Sequence, residues 1–464
     1  MQKTLKRTVA LFMTAVILTG CGAETAKPQQ MTEPVAAEMA AGTEIFESRD
    51  GSMDFTMDLT SLPEEDEWIQ TEITPYFITG DDVKTICTTL FGEGEYYEME
   101  PSMGAKYSKA ELEEAICILE TYQDREAMEK MAGAGSPLVG MLPEYADLLK
   151  GTKQLLAQGT DENPHQPCDW TFKDFNHYKN SDWDAETDDL ALMAEAERNG
   201  VRYSIQGFRR ETMPYLSLLT IDYGTMMPEY QLMQAVYRSR LCRTAPDNTQ
   251  VQKAKETALS CMEAFQPGKW TVDSVEVLEE PKGDFTDYSI KVRCTPLLEE
   301  KAVLDSFYED LPREDTRIYA AAYASFLFAP DGQLMQCDLS SPFIGEKSAE
   351  NPKELIPVDQ LLELGKEAME KLTVYENNAA GKTEILMAEK KAGEEFAGKV
   401  LVDRAEVTYG RYETEPGHFQ YLPILALWGI TEFQGKDSGK TYLTGEKDKP
   451  LVMISAVDGK IIED

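Results

Sequence analysis

An amphipathic helix followed by alternating strands occurs twice in the second half of this 464-residue chain, and this repeated order restricts the folds open to it. Apolar residues recur at three- and four-residue intervals after Val251 and again after Val358, which places them on one face of a helix. Apolar and polar residues then alternate at 272–277 and at 402–407, as in half-buried strands. Since no strand–helix–strand alternation accompanies them, the pattern predicts an α+β fold in which amphipathic helices pack on antiparallel sheets.

A tight hairpin closes each copy of this pattern. Asp331-Gly332 and Asp458-Gly459 both lie between apolar runs, and glycine accepts the positive φ that such a turn requires. The sequence therefore predicts two similar helix-plus-sheet modules, the first module at 249–345 and the second module at 355–464. The second copy has additional residues after its helix, Asn377 to Phe396, which we expect to form a surface insertion.

The segment 45–245 is predicted to be an N-terminal α+β domain. Ser108 and Glu111 have the spacing of a capping box, which marks the start of a long helix. Other helices are predicted from residue 79, at 143–157, at 189–198 and at 229–241, and strands at 55–59, 68–78, 203–208 and 215–223, the last two as a hairpin.

The first twenty-one residues have the order of an export signal. Lys3, Lys6 and Arg7 precede an apolar run at 8–18, which is shorter than the roughly 20 residues that cross a bilayer as a helix. The run ends in Leu18-Thr19-Gly20-Cys21, and a cysteine directly after two small residues is not required of an ordinary signal peptide.

These four residues resemble the lipobox of bacterial lipoproteins, which is a leucine, two small residues and a cysteine. The resemblance implies that 1–20 is a lipoprotein signal peptide and that Cys21 carries a diacylglycerol group, which holds the protein on the membrane. Two acyl chains anchor a protein stably where one chain does not. Residues 21–44, rich in Ala, Glu, Pro and Gln, are then expected to form a flexible tether.

The charge of the chain argues against an anionic partner. Removal of the signal peptide takes away three basic residues and no acidic one, so the net charge changes from −38 to −41. Such an excess opposes binding to nucleic acid and to anionic lipid headgroups. We therefore expect no nucleic-acid partner, and contact with the membrane only through the lipid on Cys21.

No catalytic, metal or cofactor site is predicted. Seven cysteines remain after Cys21 and none forms a C-x-x-C pair, so most are expected to be buried free thiols. The three histidines have no cysteine or histidine partner at ligand spacing. The segment 435–441, GKDSGKT, has three residues between its glycines where a P-loop has four.

An aromatic-rich stretch is the candidate ligand-binding surface of the N-terminal domain. Aromatic rings stack on sugars and bases, although strands also favour aromatic residues in their cores. The candidate residues are Trp170, Phe175, His177, Tyr178 and Trp183.

The order of helix, acidic-apolar strand and terminal Asp-Gly hairpin in Val358–Asp464, and again in Val251–Ser341, resembles the PepSY-type extracytoplasmic domains and regulatory lipoproteins of Gram-positive envelopes. The resemblance implies a regulatory or interaction module. The sequence thus predicts a lipid-anchored, extracytoplasmic, non-enzymatic protein that contacts an envelope protein or peptide. A solute-binding lipoprotein of a transporter and an envelope hydrolase with paired carboxylates remain as alternatives.

Overall fold

The computed structural model describes residues 43–47, 53–58, 68–99, 108–160, 165–174, 189–198, 201–210, 213–223, 230–282, 284–298, 300–304, 323–340, 343–353, 355–369, 373–378, 381–386, 396–415, 418–435, 441–444 and 450–462. The predicted signal peptide, Cys21 and nearly all of the predicted tether lie outside these residues.

Eight helices occur within the described residues: α1 Gly80–Phe91, α2 Lys109–Thr121, α3 Arg125–Ala132, α4 Pro137–Gly140, α5 Leu142–Gln158, α6 Tyr230–Leu241, α7 Asn248–Phe265 and α8 Val358–Met369. Local sequence begins several of them. Thr79, Ser108 and Asp247 each form a capping box at the start of α1, α2 and α7, so the predicted capping box of Ser108 and Glu111 is confirmed. No helix in the described part of the chain combines the length and the apolar character needed to cross a membrane.

The strands are, in chain order, β1 Thr43–Glu47, β2 Met53–Asp58, β3 Trp68–Tyr76, β4 Tyr96–Glu98, β5 Gln166–Pro167, β6 Lys173–Asp174, β7 Asp189–Arg198, β8 Val201–Arg210, β9 Met213–Tyr223, β10 Trp270–Pro281 and β11 Thr286–Leu298. They continue with β12 Lys301–Ala302, β13 Tyr323–Phe328, β14 Leu334–Ser340, β15 Phe343–Lys353, β16 Thr373–Asn378, β17 Gly381–Leu386, β18 Phe396–Glu415, β19 His418–Gly435, β20 Thr441–Thr444, β21 Pro450–Ser455 and β22 Ile461–Ile462.

The larger sheet has eleven described strands in the order β10-β11-β13-β14-β9-β8-β7-β4-β5, with β12 beside β11 and β6 beside β7. One face is apolar from β11 to β7. A single row of paired residues on that face is fully buried and consists of Val292, Phe326, Cys337, Ile221, Ile205 and Ala194. Helix α7 lies on β10, β11 and β13, and α1 packs against α7. Burial of this row against helices supplies the main hydrophobic core.

The second large sheet has nine described strands. Its main order is β1-β2-β18-β19-β21-β22, while β3 pairs with β15 and β19, and β20 pairs with β19. All pairs in both large sheets are antiparallel except β2 with β18. The hairpin β16–β17 forms a separate two-stranded sheet and includes the start of the predicted insertion. The α+β class with antiparallel sheets is thus confirmed.

The two modules share one topology. In the first, α7 is followed by neighbouring strands β10-β11-β13-β14, and in the second, α8 is followed by β18-β19-β21-β22. The first strand of each series has a register shift at the same place, where Asp273 and Asp403 are the extra residues. Alignment of Val251 with Val358 also superposes the buried helix positions: Ala254 on Leu361, Cys261 on Ala368 and Met262 on Met369.

Strand pairing crosses the domain boundaries that the sequence predicts. Strand β14 of the first module pairs with β9 of the N-terminal segment, and β2 and β3 of that segment pair with β18 and β19 of the second module. The large sheets are therefore shared between segments, because pairing between strands far apart in the chain leaves no local signal in the sequence.

Residues 189–198, predicted as a helix, form strand β7 instead. The segment DLALMAEAER is rich in good helix formers, yet Ala191, Leu192, Met193 and Ala194 are all buried between β8 and the short strands β4 and β6. A strand covered on both faces loses the alternation by which strands are recognised, and tertiary packing overrides helix propensity.

The seven cysteines after Cys21 are free thiols, as predicted. Five of them are buried: Cys87, Cys242, Cys261, Cys294 and Cys337. Burial raises the pKa of Cys242 and Cys294 to about 12, which leaves these thiols protonated and unreactive at neutral pH. Cys117 is exposed on α2.

Candidate functional site

The predicted aromatic surface is only partly within the described structure. Phe175, His177, Tyr178 and Trp183 lie outside the described residues. Trp170 has a left-handed backbone (φ 56°), and its ring meets that of Tyr96 edge-on at 5.0 Å between centroids. It is half-buried against the main core, so its observed role is packing.

A groove lies on the second module between α8 and the Asp458-Gly459 turn. It has a volume of about 470 Å³ and is lined by Ile356, Gln360, Glu363, Leu364, Glu367, Asp458 and Gly459. The turn depends on glycine, since Gly459 has a φ of 72°. A Cβ at this position would lie 3.0 Å from Leu364 Cδ1 and 3.2 Å from Ile356 Cδ1. Glycine thus both permits the turn and keeps the apolar floor of the groove open.

Backbone hydrogen bonds fix the walls of this groove. The N–H of Gly459 donates to the carbonyl oxygen of Ser455 at 2.9 Å, which closes the turn. The N–H of Ile356 donates to the carbonyl oxygen of Ala456, also at 2.9 Å, and ties the segment before α8 to the same turn. The groove is therefore preformed on regular structure.

The first module has polar residues at the matching positions. Under the alignment of the two helices, Thr249, Lys253 and Thr257 replace Ile356, Gln360 and Leu364. A Cβ on Gly332, which corresponds to Gly459, would lie 3.7 Å from Lys253 Nζ. The duplicated scaffold thus carries an apolar floor in the second module only.

The rim of the groove carries carboxylates. Glu363 pairs with Lys366 at 2.8 Å and Asp458 pairs with Lys460 at 2.9 Å. Glu363 and Lys460 are largely exposed, and exposed pairs of this kind contribute little to stability, so a bound cationic group can exchange with the lysines at small cost.

A buried cluster of charged groups forms at the N-terminus of α2. Glu111 is only 6% exposed, and its Oε2 accepts the backbone N–H of Ser108 as part of the capping box. Its Oε1 lies 2.5 Å from Arg202 Nη1 on β8 and 3.2 Å from His165 Nε2. Burial opposes ionisation of Glu111, but the hydrogen bond with His165 and the charge of Arg202 outweigh it and lower its pKa to about 2.

Strand β7 adds a second carboxylate to this cluster. Glu195 pairs with Ser204 in register, next to the pair Glu197 and Arg202, so these residues share a face. Ligand atoms of Glu111, His165 and Glu195 all lie within 4.8 Å of one another. Burial raises the pKa of Glu195. The hydrogen bond between His165 and Glu111 raises the pKa of His165. The fold thus assembles a possible metal-ligand set where the sequence predicted none.

Two residues of this cluster carry a signal in the sequence, but neither signal indicates that they meet. Glu111 has capping-box spacing with Ser108, and His165 is one of the three histidines without a cysteine or histidine partner at ligand spacing. His165 is 54 positions from Glu111 in the chain, and Arg202 is 91 positions from Glu111. These groups meet because β8 pairs with β7, β7 with β4 and β4 with β5, which follows His165, and because Glu111 of α2 contacts Arg202 of β8.

Two carboxylates also meet on the polar face of the larger sheet. Asp222 of β9 pairs with Gln336 of β14, and Asp338 pairs with Thr220, so the two aspartates are diagonal neighbours. Burial and then the charge of Asp338 raise the pKa of Asp222 to about 7, and burial raises the pKa of Asp338 to about 6.

Comparisons with known proteins provide no family. Neither a protein-family model nor a curated protein matches the chain. One solved structure, of an uncharacterized protein from Eubacterium rectale ATCC 33656, is similar over 59% of this chain and 76% of its own, with 9% identity and a TM-score of 0.30.

Proposed function

We propose that this protein is a lipid-anchored, extracytoplasmic and non-enzymatic protein of a bacterial, Gram-positive type cell envelope, and that its second module binds a peptide segment of an envelope protein. The resemblance of Leu18-Thr19-Gly20-Cys21 to a lipobox supports the anchor. The single observation that supports binding is the groove of the second module, whose apolar floor has polar counterparts in the first module.

The chemistry of the groove favours a peptide with apolar and basic side chains. Ile356 and Leu364 provide an apolar floor, while Glu363, Glu367 and Asp458 line the groove with carboxylates. The net charge of −41 after removal of the signal peptide steers cationic segments toward the protein and repels anionic ones. A volume of about 470 Å³ is in the range of small-ligand pockets and accommodates a few side chains of such a segment rather than a whole domain.

The anchor is tested by mass spectrometry and detergent partitioning of the protein from its bacterial host. We expect the wild-type protein to carry diacylglycerol on Cys21 and to enter the detergent phase, and Cys21→Ser to do neither. Release of the wild-type chain without lipid would contradict the anchor.

The groove is tested with a photo-crosslinking amino acid placed at Gln360, and at Lys253 as the matched control in the first module. We expect position 360 to give an adduct in intact cells, mapped to a segment with apolar and Lys or Arg residues, and position 253 to give none. Equal adducts at both positions, or an acidic target segment, would refute peptide binding by the groove. Thermal stabilisation by one small solute, with no peptide adduct, would instead favour the solute-binding alternative.

A further inference from the structure

We propose that Glu111, His165 and Glu195 bind a divalent transition-metal ion of the zinc class. This site is separate from the groove of the second module, and it does not depend on the function proposed for that groove.

The ligand atoms of the three residues are almost close enough to one another to bind a single metal ion. Their ligand atoms lie within 4.8 Å of one another. Zinc binds nitrogen and oxygen at about 2.0–2.2 Å, which separates the ligands of a tetrahedral site by roughly 3.5 Å. Movement of the His165 and Glu195 side chains by about 1 Å therefore completes the site. Glu111 is held in place by Ser108 and needs no movement.

The charge of the cluster favours an additional cation. Arg202 contacts Glu111 and also lies 3.8 Å from both Glu114 and Glu197. With Glu195 nearby, four carboxylates surround one guanidinium group. Arg202 can move closer to Glu114 and Glu197 while a metal ion takes its place beside Glu111, so every carboxylate gains a partner.

Glu195 points into the cluster without a hydrogen bond. Among the described residues we find no donor to its carboxylate, although its oxygen lies within 4.8 Å of His165 and Glu111. Glu195 is half-buried. Partial removal from water without a hydrogen-bond donor disfavours its ionised form, and such carboxylates in proteins are normally paired or coordinate metals. Glu195 is therefore the group whose position a bound metal explains best.

The donor set selects the metal class. One imidazole nitrogen with two carboxylates suits zinc and neighbouring transition metals, whereas calcium and magnesium prefer oxygen ligands alone. Three protein ligands leave a fourth position open to water or another molecule.

The test uses the full-length protein in detergent, stripped with a chelator and titrated with Zn²⁺ alone by calorimetry. We expect one binding site, weakened at least about tenfold in Glu195→Gln and in His165→Gln. Matched controls are Glu113→Gln on the exposed side of α2 and His418→Gln on β19, which should bind as the wild type does. Thermal melting without metal identifies any variant that fails to fold, and Zn²⁺ should raise the melting temperature of the wild type but not of a folded Glu195→Gln.

Cobalt spectroscopy separates this site from the free thiols. Co²⁺ in a site of imidazole and carboxylates gives visible bands without the intense thiolate charge-transfer band that cysteine ligands produce. A thiolate band, unaltered binding in both ligand variants, or no site with a stoichiometry near one would each overturn the proposal.

Discussion

Replacement of Asp222 by asparagine should stabilise the protein at neutral and alkaline pH. Asp222 is half-buried on the polar face of the larger sheet, beside Asp338 on the neighbouring strand. Burial and the charge of Asp338 raise the pKa of Asp222 from 3.8 to about 7. Asparagine has nearly the shape of the protonated acid but cannot ionise, so Asp222→Asn removes the cost of a buried negative charge and changes little else.

The sign and size of the effect follow from proton linkage. The folded protein holds a proton on Asp222 that the unfolded chain releases above pH 3.8, so this contribution to stability is fully present below pH 3.8 and is lost as the pH rises to about 7. A shift of roughly 3 pKa units at 1.36 kcal/mol each corresponds to about 4 kcal/mol. Because Asp338 titrates in the same range, part of this gain is shared between the two residues.

The assay is denaturant unfolding of wild type and Asp222→Asn at pH 5 and pH 8. At pH 5 we expect the variant to be more stable by about 1–2 kcal/mol, and at pH 8 by up to about 4 kcal/mol. Asp147→Asn, at an exposed position on α5, is the matched control and should show no such increase with pH. A variant no more stable than wild type at pH 8, or a difference that does not grow between the two pH values, would refute this account of the carboxylate pair.

Two further substitutions test other parts of the fold. Gly459→Ala should destabilise by about 1–2 kcal/mol through its left-handed backbone and more through its contacts with Leu364 and Ile356. Gly332→Ala, with a φ of 89° and only ordinary contacts with the Lys253 side chain, should cost only the backbone part. Equal losses of stability in chemical denaturation would show that the groove floor is not close-packed around Gly459. Glu111→Gln should cost about 3 kcal/mol at pH 7, because it leaves Arg202 without its nearest carboxylate, while Glu113→Gln should cost a few tenths. Since the pKa of Glu111 is lowered to about 2, this difference should be complete above pH 4.5 and shrink as the pH falls toward 2; a difference that does not change with pH would contradict the ion pair.

Local chemistry could be predicted from the sequence, and long-range pairing could not. The start of α1 at Thr79, the capping box of α2, the hairpin of β8 and β9 and the Asp-Gly turns of both modules all depend on residues a few positions apart, and the structure confirms them. Strand β7 was missed because burial on both faces removed its alternation. The pairing of β14 with β9 was not predicted, because nothing in the sequence of either strand identifies the strand with which it pairs.

The candidate sites show the same difference between local features, which the sequence predicts, and long-range contacts, which it does not. Each half of the groove was visible in the sequence, as the helix after Val358 and the Asp458-Gly459 turn, but their contact through Ile356 was not. The cluster of Glu111, His165 and Glu195 joins three elements that sequence distance keeps apart. In the aromatic stretch, Trp170 lies in a loop with a left-handed backbone rather than in a strand, and its part in ligand binding stays a prediction.

The parallel pairing of β2 with β18 sets an order of events during synthesis. Phe55 of β2 is opposite Val400 of β18, and β3 pairs with β19 further on, so strands made first receive their partners almost last. The larger sheet already has all its strands once residue 340 is made. Until β18 and β19 are made, the edges of β2 and β3 that pair with them stay without those partners, and such contacts between distant residues form slowly. Truncation that removes β18 and β19 should therefore expose these N-terminal strands to aggregation, although the deleted residues lie at the opposite end of the chain.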